Sequence, residues 1–298
     1  MSANINPTFF AQEFKAVLEP ALQQMGSRLR ETVTVSTTSG VKQAVAVDRL
    51  GTVAAVTVAG QLQTKVPVNA ATDRRWVVPI SKSVTQILDH FDVLRTLNDP
   101  MSATVQNAVN ALGRSMDDEV ITAALGTSKS GETGSGSTSF DTTNNRIAVN
   151  FQAGGNTGLT VAKLRQVRKI LYQNEVDLDR DPLYCVITAK QHDDLLKEAQ
   201  IIGREYNDQM VLANGKVTEY MGFKFIHSER LGVDGSSYRR VIAYVKSGIH
   251  LKVWEDIKTN VYQNTDYEGD PWETYAMATF GATRTDEKRV VEVLCSES

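Results

Sequence analysis

The sequence predicts an α+β fold organised around one long helix. Three observations carry this. Residues 99–126 hold a single apolar stripe with signals at both ends, residues 33–78 turn to an alternating Val/Thr/Ala/Gln texture, and residues 238–295 return to strand-like runs after an α/β stretch. In the helix, Met101, Val105, Val109, Leu112, Met116, Val120 and Ala124 recur at spacings of three and four, which places them on one face. Val105, Val109, Leu112, Met116 and Val120 are the candidate core face. Asp99 is the predicted N-cap, Pro100 fits the first helical position, and Gly126 fits the left-handed residue just past the end. At 1.5 Å per residue such a helix is roughly 38 Å long, well beyond the usual three or four turns. Asn107, Asn110, Arg114, Asp117 and Asp118 are expected to cover the other side.

Residues 8–31 read as an amphipathic helical arm carrying Phe10, Phe14, Val17, Leu18, Leu22, Met25 and Leu29, kinked at Pro20. From Val33 to Val78 two or three strands are expected, from the runs Val41–Val47, Val53–Val58 and Val66–Val68. Glu31 to Arg75 contains no aromatic residue, so this ribbon cannot build a core alone and must lie on something else. A strand from Trp76 should lead into a short helix, Val84–Leu97, with Ile87, Leu88, Phe91 and Leu94 on one side. Thr127–Gly158 is rich in Gly, Ser, Thr and Asn and reads as a flexible loop with one strand, Arg146–Phe151.

Leu159–Ser228 reads as a compact α/β unit. Thr160 can cap a helix running to Asn174, Leu183–Thr188 is a central strand, and Ala189–Glu198 and Gly203–Leu212 are helical. Val217–Ile226 should be a hairpin bent at Met221-Gly222. Val241–Val245 and Gly248–Trp254 are strands, and Ile257–Gln263 continues the second. Trp272–Arg284 and Val290–Cys295 read as a final antiparallel pair joined by the charged tip Thr285–Arg289.

Composition narrows the function. The chain has 298 residues, 41% apolar and 22% charged, which is enough for a sizeable core. A net charge of -3 argues against an electrostatic nucleic-acid binder. No apolar run approaches a membrane span, and the N-terminus shows no secretory signal. Cys185 and Cys295, each in an apolar strand-like run, read as buried free thiols of a chain made in a reducing compartment.

Sites of chemistry are sparse. No G-x-x-x-x-G-K-[ST], G-x-G-x-x-G, H-E-x-x-H or G-x-S-x-G pattern occurs. Asp177-Leu-Asp179-Arg-Asp181 begins like a calcium loop, but Pro182 stands at position six and Thr188 at position twelve, so a solvated turn is the better reading. His90, His192, His227 and His250 are scattered. Asp117-Asp118-Glu119 and Asp286-Glu287 could hold a cation, but solvation or pairing with another subunit suits them better. No catalytic residue, cofactor site or metal site is expected. Arm and ribbon, unable to bury themselves, point to a subunit whose extensions lie on its neighbours.

The order of these pieces resembles the major capsid proteins of tailed bacteriophages, the Hong Kong 97-type fold. The likeness rests on Arg74-Arg-Trp-Val-Val-Pro79, Ile87-Leu-Asp-His-Phe-Asp92 and Leu97-Asn-Asp-Pro100, followed by Ala111-Leu-Gly-Arg-Ser-Met-Asp-Asp118 and Ala123-Ala-Leu-Gly126. It continues through Leu164–Leu196 and the ending Ala278-Thr-Phe-Gly-Ala-Thr-Arg284. The resemblance implies an N-terminal arm at 1–40, an extended loop (E-loop) at 41–76 and a peripheral domain at 77–158 with the spine helix at 99–125. An axial domain would follow at 159–240, and return strands of the peripheral domain at 241–298. It implies a structural protein, not an enzyme, that forms pentamers and hexamers of an icosahedral shell around double-stranded DNA. Expected partners are copies of itself, a separate scaffolding protein, a portal and the packaged DNA held non-specifically, with no membrane. The arm begins within a few residues of Met1, so a separate scaffold and little cleavage of the coat are expected. Phe10, Phe14, Arg49 and Lys65 are the candidate inter-subunit contacts. Alternatives are an encapsulin-like compartment shell, an α/β enzyme with its site in 159–228, and a carbohydrate- or receptor-binding virion protein, against which the aromatics Tyr267, Trp272 and Tyr275 are few and strand-bound.

Overall fold

A computed structural model describes residues 23–37, 45–58, 60, 64–65, 67–88, 101–198, 212–213, 216–268 and 270–297. In chain order the elements are β1 (Thr34–Thr37), β2 (Val45–Leu50), β3 (Thr72–Val77), β4 (Ile80–Leu88), α1 (Met101–Leu125), β5 (Ser128–Ser130), β6 (Gly136–Thr138) and β7 (Arg146–Ile147). There follow α2 (Val161–Gln173), β8 (Leu183–Ile187), α3 (Ala189–Lys197), β9 (Leu212–Ala213), β10 (Lys216–Val217), β11 (Glu219–Tyr220), β12 (Phe223–His227), β13 (Arg239–Val245), β14 (Ile249–Gln263), β15 (Trp272–Arg284) and β16 (Val290–Cys295).

These form two main sheets and a ribbon. The first sheet has the order β1-β14-β15-β4, and α1 packs on its β15, β14 and β4 strands. Along β15, Thr274, Ala276, Ala278 and Phe280 are buried while Tyr275, Met277 and Thr279 are half-exposed, so one face is covered and the other open. The small residues Ala276 and Ala278 let the helix sit close. The second sheet has the order β11-β12-β8-β13-β16-β7. Its central strands β8, β13 and β16 are almost wholly apolar and buried, as a sheet covered on both faces requires. Thr160 caps α2 by accepting from Lys163 N at 3.4 Å. The ribbon sheet runs β2-β3-β5-β6.

Several sequence expectations change. Residues 23–29 are not helical: Met25 is 66% exposed, Gly26 is left-handed, and only a single 3-10 turn follows at Arg30–Thr32. The rest of the predicted arm helix, with Phe10 and Phe14, lies outside the described residues, as do the caps Asp99 and Pro100, His90 and the helical stretch expected at 203–211. Val84–Leu88 is strand rather than helix, because β4 pairs along its whole length with β15, from Trp272↔Leu88 to Phe280↔Ile80. The Val53–Val58 run, expected as a strand, forms none and pairs with nothing in the described chain. The glycine-serine loop carries β5 and β6, which widen the ribbon. β15 and β16 do not pair with each other: β15 lies between β14 and β4, and β16 between β13 and β7. Met221-Gly222 does form the hairpin bend, both residues at positive φ. In the aspartate-rich turn, Asp177 Oδ1 accepts from Asp179 N at 3.2 Å, and Asp181 accepts from Ser247.

Of the candidate core face, Leu112, Met116 and Val120 are fully buried while Val105 and Val109 are half-buried. Replacing Leu112 by Asp would put a charge with no partner into the α1–sheet contact. The expected outcome is loss of soluble folded protein, read as the soluble fraction on expression and the near-UV circular dichroism of whatever remains.

Candidate functional site: arm, long helix and ribbon root

The polar side of α1 is not a surface. Asn110 and Asp117, expected to face outward, are buried under residues 23–29. The Asp117 carboxylate accepts from Gln24 Nε2, from Ser27 Oγ, from Arg28 N at 3.0 Å and from Leu29 N at 3.1 Å. Asn110 Oδ1 accepts from Gly26 N at 3.1 Å, and Arg114 Nη1 donates to Gln23 Oε1 and, at 3.3 Å, to Gln24 O. Gly113 and Gly26 make this approach possible. A Cβ on Gly113 would stand 2.6 Å from the Gly26 carbonyl carbon, closer than any side chain tolerates.

The arm base then crosses the rest of its own subunit. Arg28 Nη1 donates to His227 O at 2.9 Å at the end of β12. Arg30 grips Asp256 on β14 with two bonds of 3.0 and 2.7 Å. Thr32 Oγ1 meets the buried Tyr244 hydroxyl at 2.6 Å, and β1 finally pairs in parallel with β14. Residues 23–37 are therefore anchored within the chain.

The C-terminal end of α1 meets the ribbon root. Gly126 donates to Thr122 O at 2.8 Å, but it is not among the residues at positive φ, contrary to the left-handed cap expected. Arg284, fully buried at the end of β15, does the capping instead. Its Nη1 donates to Ala124 O at 3.0 Å and Gly126 O at 2.8 Å, placing a cation at the negative end of the helix. Phe140 packs beneath the guanidinium, 5.4 Å away. The acidic tip serves the same junction. Glu287 lies 3.5 Å from Arg284 and 3.2 Å from the buried Arg75 of β3, and Asp286 pairs with Arg49 of β2 at 2.7 Å. Asp286 and Glu287 are thus ion-paired inside their own subunit, and so is Arg49. Asp118 likewise pairs with Arg230 in the same chain. Of the candidate contacts, Lys65 is exposed on the ribbon.

Beyond β2 and β3 the ribbon presents apolar side chains to solvent. Leu50 is 76% exposed, Val53 56% and Val58 75%, with Val56 and Val68 also exposed. Chemical machinery is scarce elsewhere. Among the described residues no cluster of His, Cys, Asp and Glu could hold a metal. His192 Nε2 accepts from the Val217 amide, which fixes a loop. Lys163, buried at the start of α2, donates to Thr157 O, Gly158 O and Leu294 O at 2.9, 2.8 and 3.0 Å. Cys185 and Cys295 are buried and unpaired with each other, and burial pushes the Cys295 thiol up to about 12. Among the described residues no helix is long and apolar enough to cross a membrane.

Two measurements check this construction. Asp117→Ala strands the buried amide of Leu29, which costs roughly 1–3 kcal/mol. Gly113→Ala overpacks the crossing at a comparable roughly 1–3 kcal/mol. Both should lower the denaturation midpoint and open the chain N-terminal of Arg30 to limited proteolysis. The C-terminus supplies a pH test. Glu297 accepts from Arg239 Nε and Nη2 at 2.8 and 2.7 Å and from Gln191 at 3.2 Å, which holds its carboxyl down to about 2 from an ordinary 4.5. A carboxylate lowered on folding stabilises fully above its unfolded value, and that contribution is lost as pH falls from about 4.5 toward 2. Glu297→Gln should lower stability at neutral pH and flatten the acid limb of a thermal-midpoint profile between those values.

Comparison with known proteins accords with this geometry. The family model described as phage capsid protein matches residues 5–297. The capsid protein of cyanophage P-SCSP1u superposes with a TM-score of 0.74 at 14% identity, covering 98% of this chain and 94% of that one. The capsid of cyanophage Pam1 gives 0.73 at 11% identity, with 99% of each chain covered. The head structure of Helicobacter pylori bacteriophage KHP40 gives 0.72 at 10% identity, covering 100% of this chain and 99% of that one. No curated protein matches the sequence. The fold is of the Hong Kong 97 type, and the chain belongs to the phage capsid protein family, whose members are shell proteins rather than enzymes.

Proposed function

We propose that this chain is the major capsid protein of a tailed bacteriophage, assembling as pentamers and hexamers into an icosahedral shell that encloses double-stranded DNA. The observation that carries this beyond family membership is the ribbon. Leu50, Val53, Val56, Val58 and Val68 stand exposed along the ribbon, and such a surface needs a partner. In this reading 41–76 is the E-loop, 77–158 and 241–298 form the peripheral domain around α1, and 159–240 is the axial domain that meets its symmetry mates. Residues 1–40 are the N-terminal arm. Its anchor on Asp117 leaves the reach to a neighbour to the residues before Gln23, with Phe10 and Phe14 as contacts and Lys65 as a further one from the ribbon. A mildly acidic chain suits a container that must release its DNA, so the genome is held without sequence preference. A separate scaffolding protein and a portal complete the assembly in the host cytoplasm, and the finished protein resides in the virion.

Expression with the scaffold, followed by sedimentation and negative-stain microscopy, tests the reading. Closed shells or capsomers are expected, and strictly monomeric protein would overturn it. Phe14→Ser should leave the monomer's thermal midpoint unchanged and reduce particle yield several-fold. An unchanged yield removes Phe14 from the contact.

A further inference from the structure

Each described histidine meets a protein group through a ring nitrogen: His192 the Val217 amide, His250 the Ser36 hydroxyl and His227 the Arg28 guanidinium. The last contact differs from the others because its donor is a fixed cation. It also sits where the arm base crosses the end of β12.

The proton positions on His227 follow from its partners. Arg28 Nη1 lies 3.1 Å from Nδ1, and a guanidinium can only donate, so Nδ1 carries the lone pair. Nε2 lies 2.9 Å from Glu229 Oε1, and a carboxylate can only accept, so Nε2 carries the hydrogen. Glu229 is itself fixed by the first amide of α3, Ala189 N, at 2.6 Å. One neutral tautomer therefore satisfies both neighbours. A second proton can go only to Nδ1, where it meets the N–H of Arg28.

The ring is open to that proton. The His227 side chain is 42% exposed and lines an open cleft of about 710 Å³ together with Arg28, Glu31 and His192. Imidazole is the side chain whose charge changes between about pH 5 and 8. Arg28 faces Nδ1 from the arm base, Glu229 faces Nε2 from the loop after β12, and Glu31 and His192 border the same cleft. On α1, Asp117 is taken up by the amides of Arg28 and Leu29, and Asp118 by Arg230. β8 brings the apolar Ile187 into register with His227.

Protonation turns the Nδ1 contact from a hydrogen bond into two opposed N–H groups carrying two positive charges. Arg28 also donates to His227 O at 2.9 Å, but from the same Nη1, so it cannot keep that bond without standing against the imidazolium. His227 keeps Glu229, now as an ion pair.

We propose that Arg28 and His227 form an acid-released latch on the arm base. The neutral ring accepts from Arg28 and fastens residues 23–30 to the end of β12. As pH falls toward about 5 the imidazolium pairs with Glu229 alone and lets Arg28 go, while Asp117 retains the backbone. The latch belongs to the single subunit and stands apart from the shell reading. Within that reading it sets how firmly the residues leading to the arm are held on their own copy.

Two measurements on the full-length, unassembled chain test it. Nitrogen NMR of histidine-labelled protein at about pH 8 should show His227 bare at Nδ1 and protonated at Nε2. Opening of the arm base breaks the latch, so hydrogen exchange, corrected for its intrinsic pH dependence, reports on it. From about pH 8 to 5 the amides of Gly26, Arg28 and Leu29 should lose protection roughly fivefold, the factor one hydrogen bond is worth, while the centre of α1 stays constant. His227→Asn places a carbonyl oxygen near the Nδ1 position and takes no proton, so it should hold the high-pH protection throughout. Arg28→Ala keeps its own amide on Asp117 and should show the lowered protection at every pH. Flat protection in the wild-type chain, a hydrogen on Nδ1 at about pH 8, or a wild-type pH response in either variant overturns the latch. None of these results bears on the shell reading, which particle formation decides.

Discussion

A carboxylate placed in the middle of a helix and shut away from water must be met by donors, and the placement of Asp117 decides much of this subunit. Its oxygens take the amides of Arg28 and Leu29 and the side chains of Gln24 and Ser27, so the chain before the first strand has one course across α1. Gly113 and Gly26 set how close that course can run. Once it is set, Arg30 falls opposite Asp256, Thr32 opposite Tyr244, and Thr34 opposite His250 in the parallel register of β1 with β14. The long helix is therefore held on both sides, by an apolar stripe against β14, β15 and β4 and by a polar one against the arm.

A second constraint acts at the other end of the helix. Carbonyls at a helix C-terminus need donors, and here a buried arginine from a distant strand donates to Ala124 O and to Gly126 O just beyond the helix. Arg284 ties the end of α1 to the end of β15. The neighbouring Glu287 and Asp286 carry the tie onward to Arg75 and Arg49 at the ribbon root. Charges that look like a solvated hairpin tip are the joint from which the ribbon projects. The direction of the ribbon is thus coupled to the position of the helix through ion pairs that are largely buried at Arg75 and Arg284.

Local periodicity made much of this fold legible. The stripe of α1, the capped α2, the apolar run of β8 and the hairpin bend at Met221-Gly222 depend on residues near one another in the chain. What periodicity could not reach depends on distant partners. Asp117 and Asn110 read as surface because their donors lie more than eighty residues earlier. Residues 84–88 read as helix because Ile87 and Leu88 continue at helical spacing into Phe91 and Leu94, while the strand is imposed by pairing with residues 272–276. β15 and β16 read as a hairpin because they are consecutive, yet each lies inside a different sheet. One signal was available for the buried helix cap: an arginine inside an otherwise apolar strand end, Phe-Gly-Ala-Thr-Arg284, has no reason to be there unless it serves a buried acceptor.

The same accounting separates interior from interface. Inside the subunit three buried charges are matched: Glu292 by Arg146 and Arg240, Lys163 by three carbonyls, Arg284 by the helix end. What stands exposed in the described chain is a row of ribbon valines, rather than a cluster of reactive groups. Unspent apolar surface and unpaired backbone favour association and do nothing for catalysis, since neither carries a proton or an electron pair to move. A subunit that spends Glu292, Lys163 and Arg284 on its own interior and leaves ribbon valines outward offers a surface for packing rather than a site for chemistry.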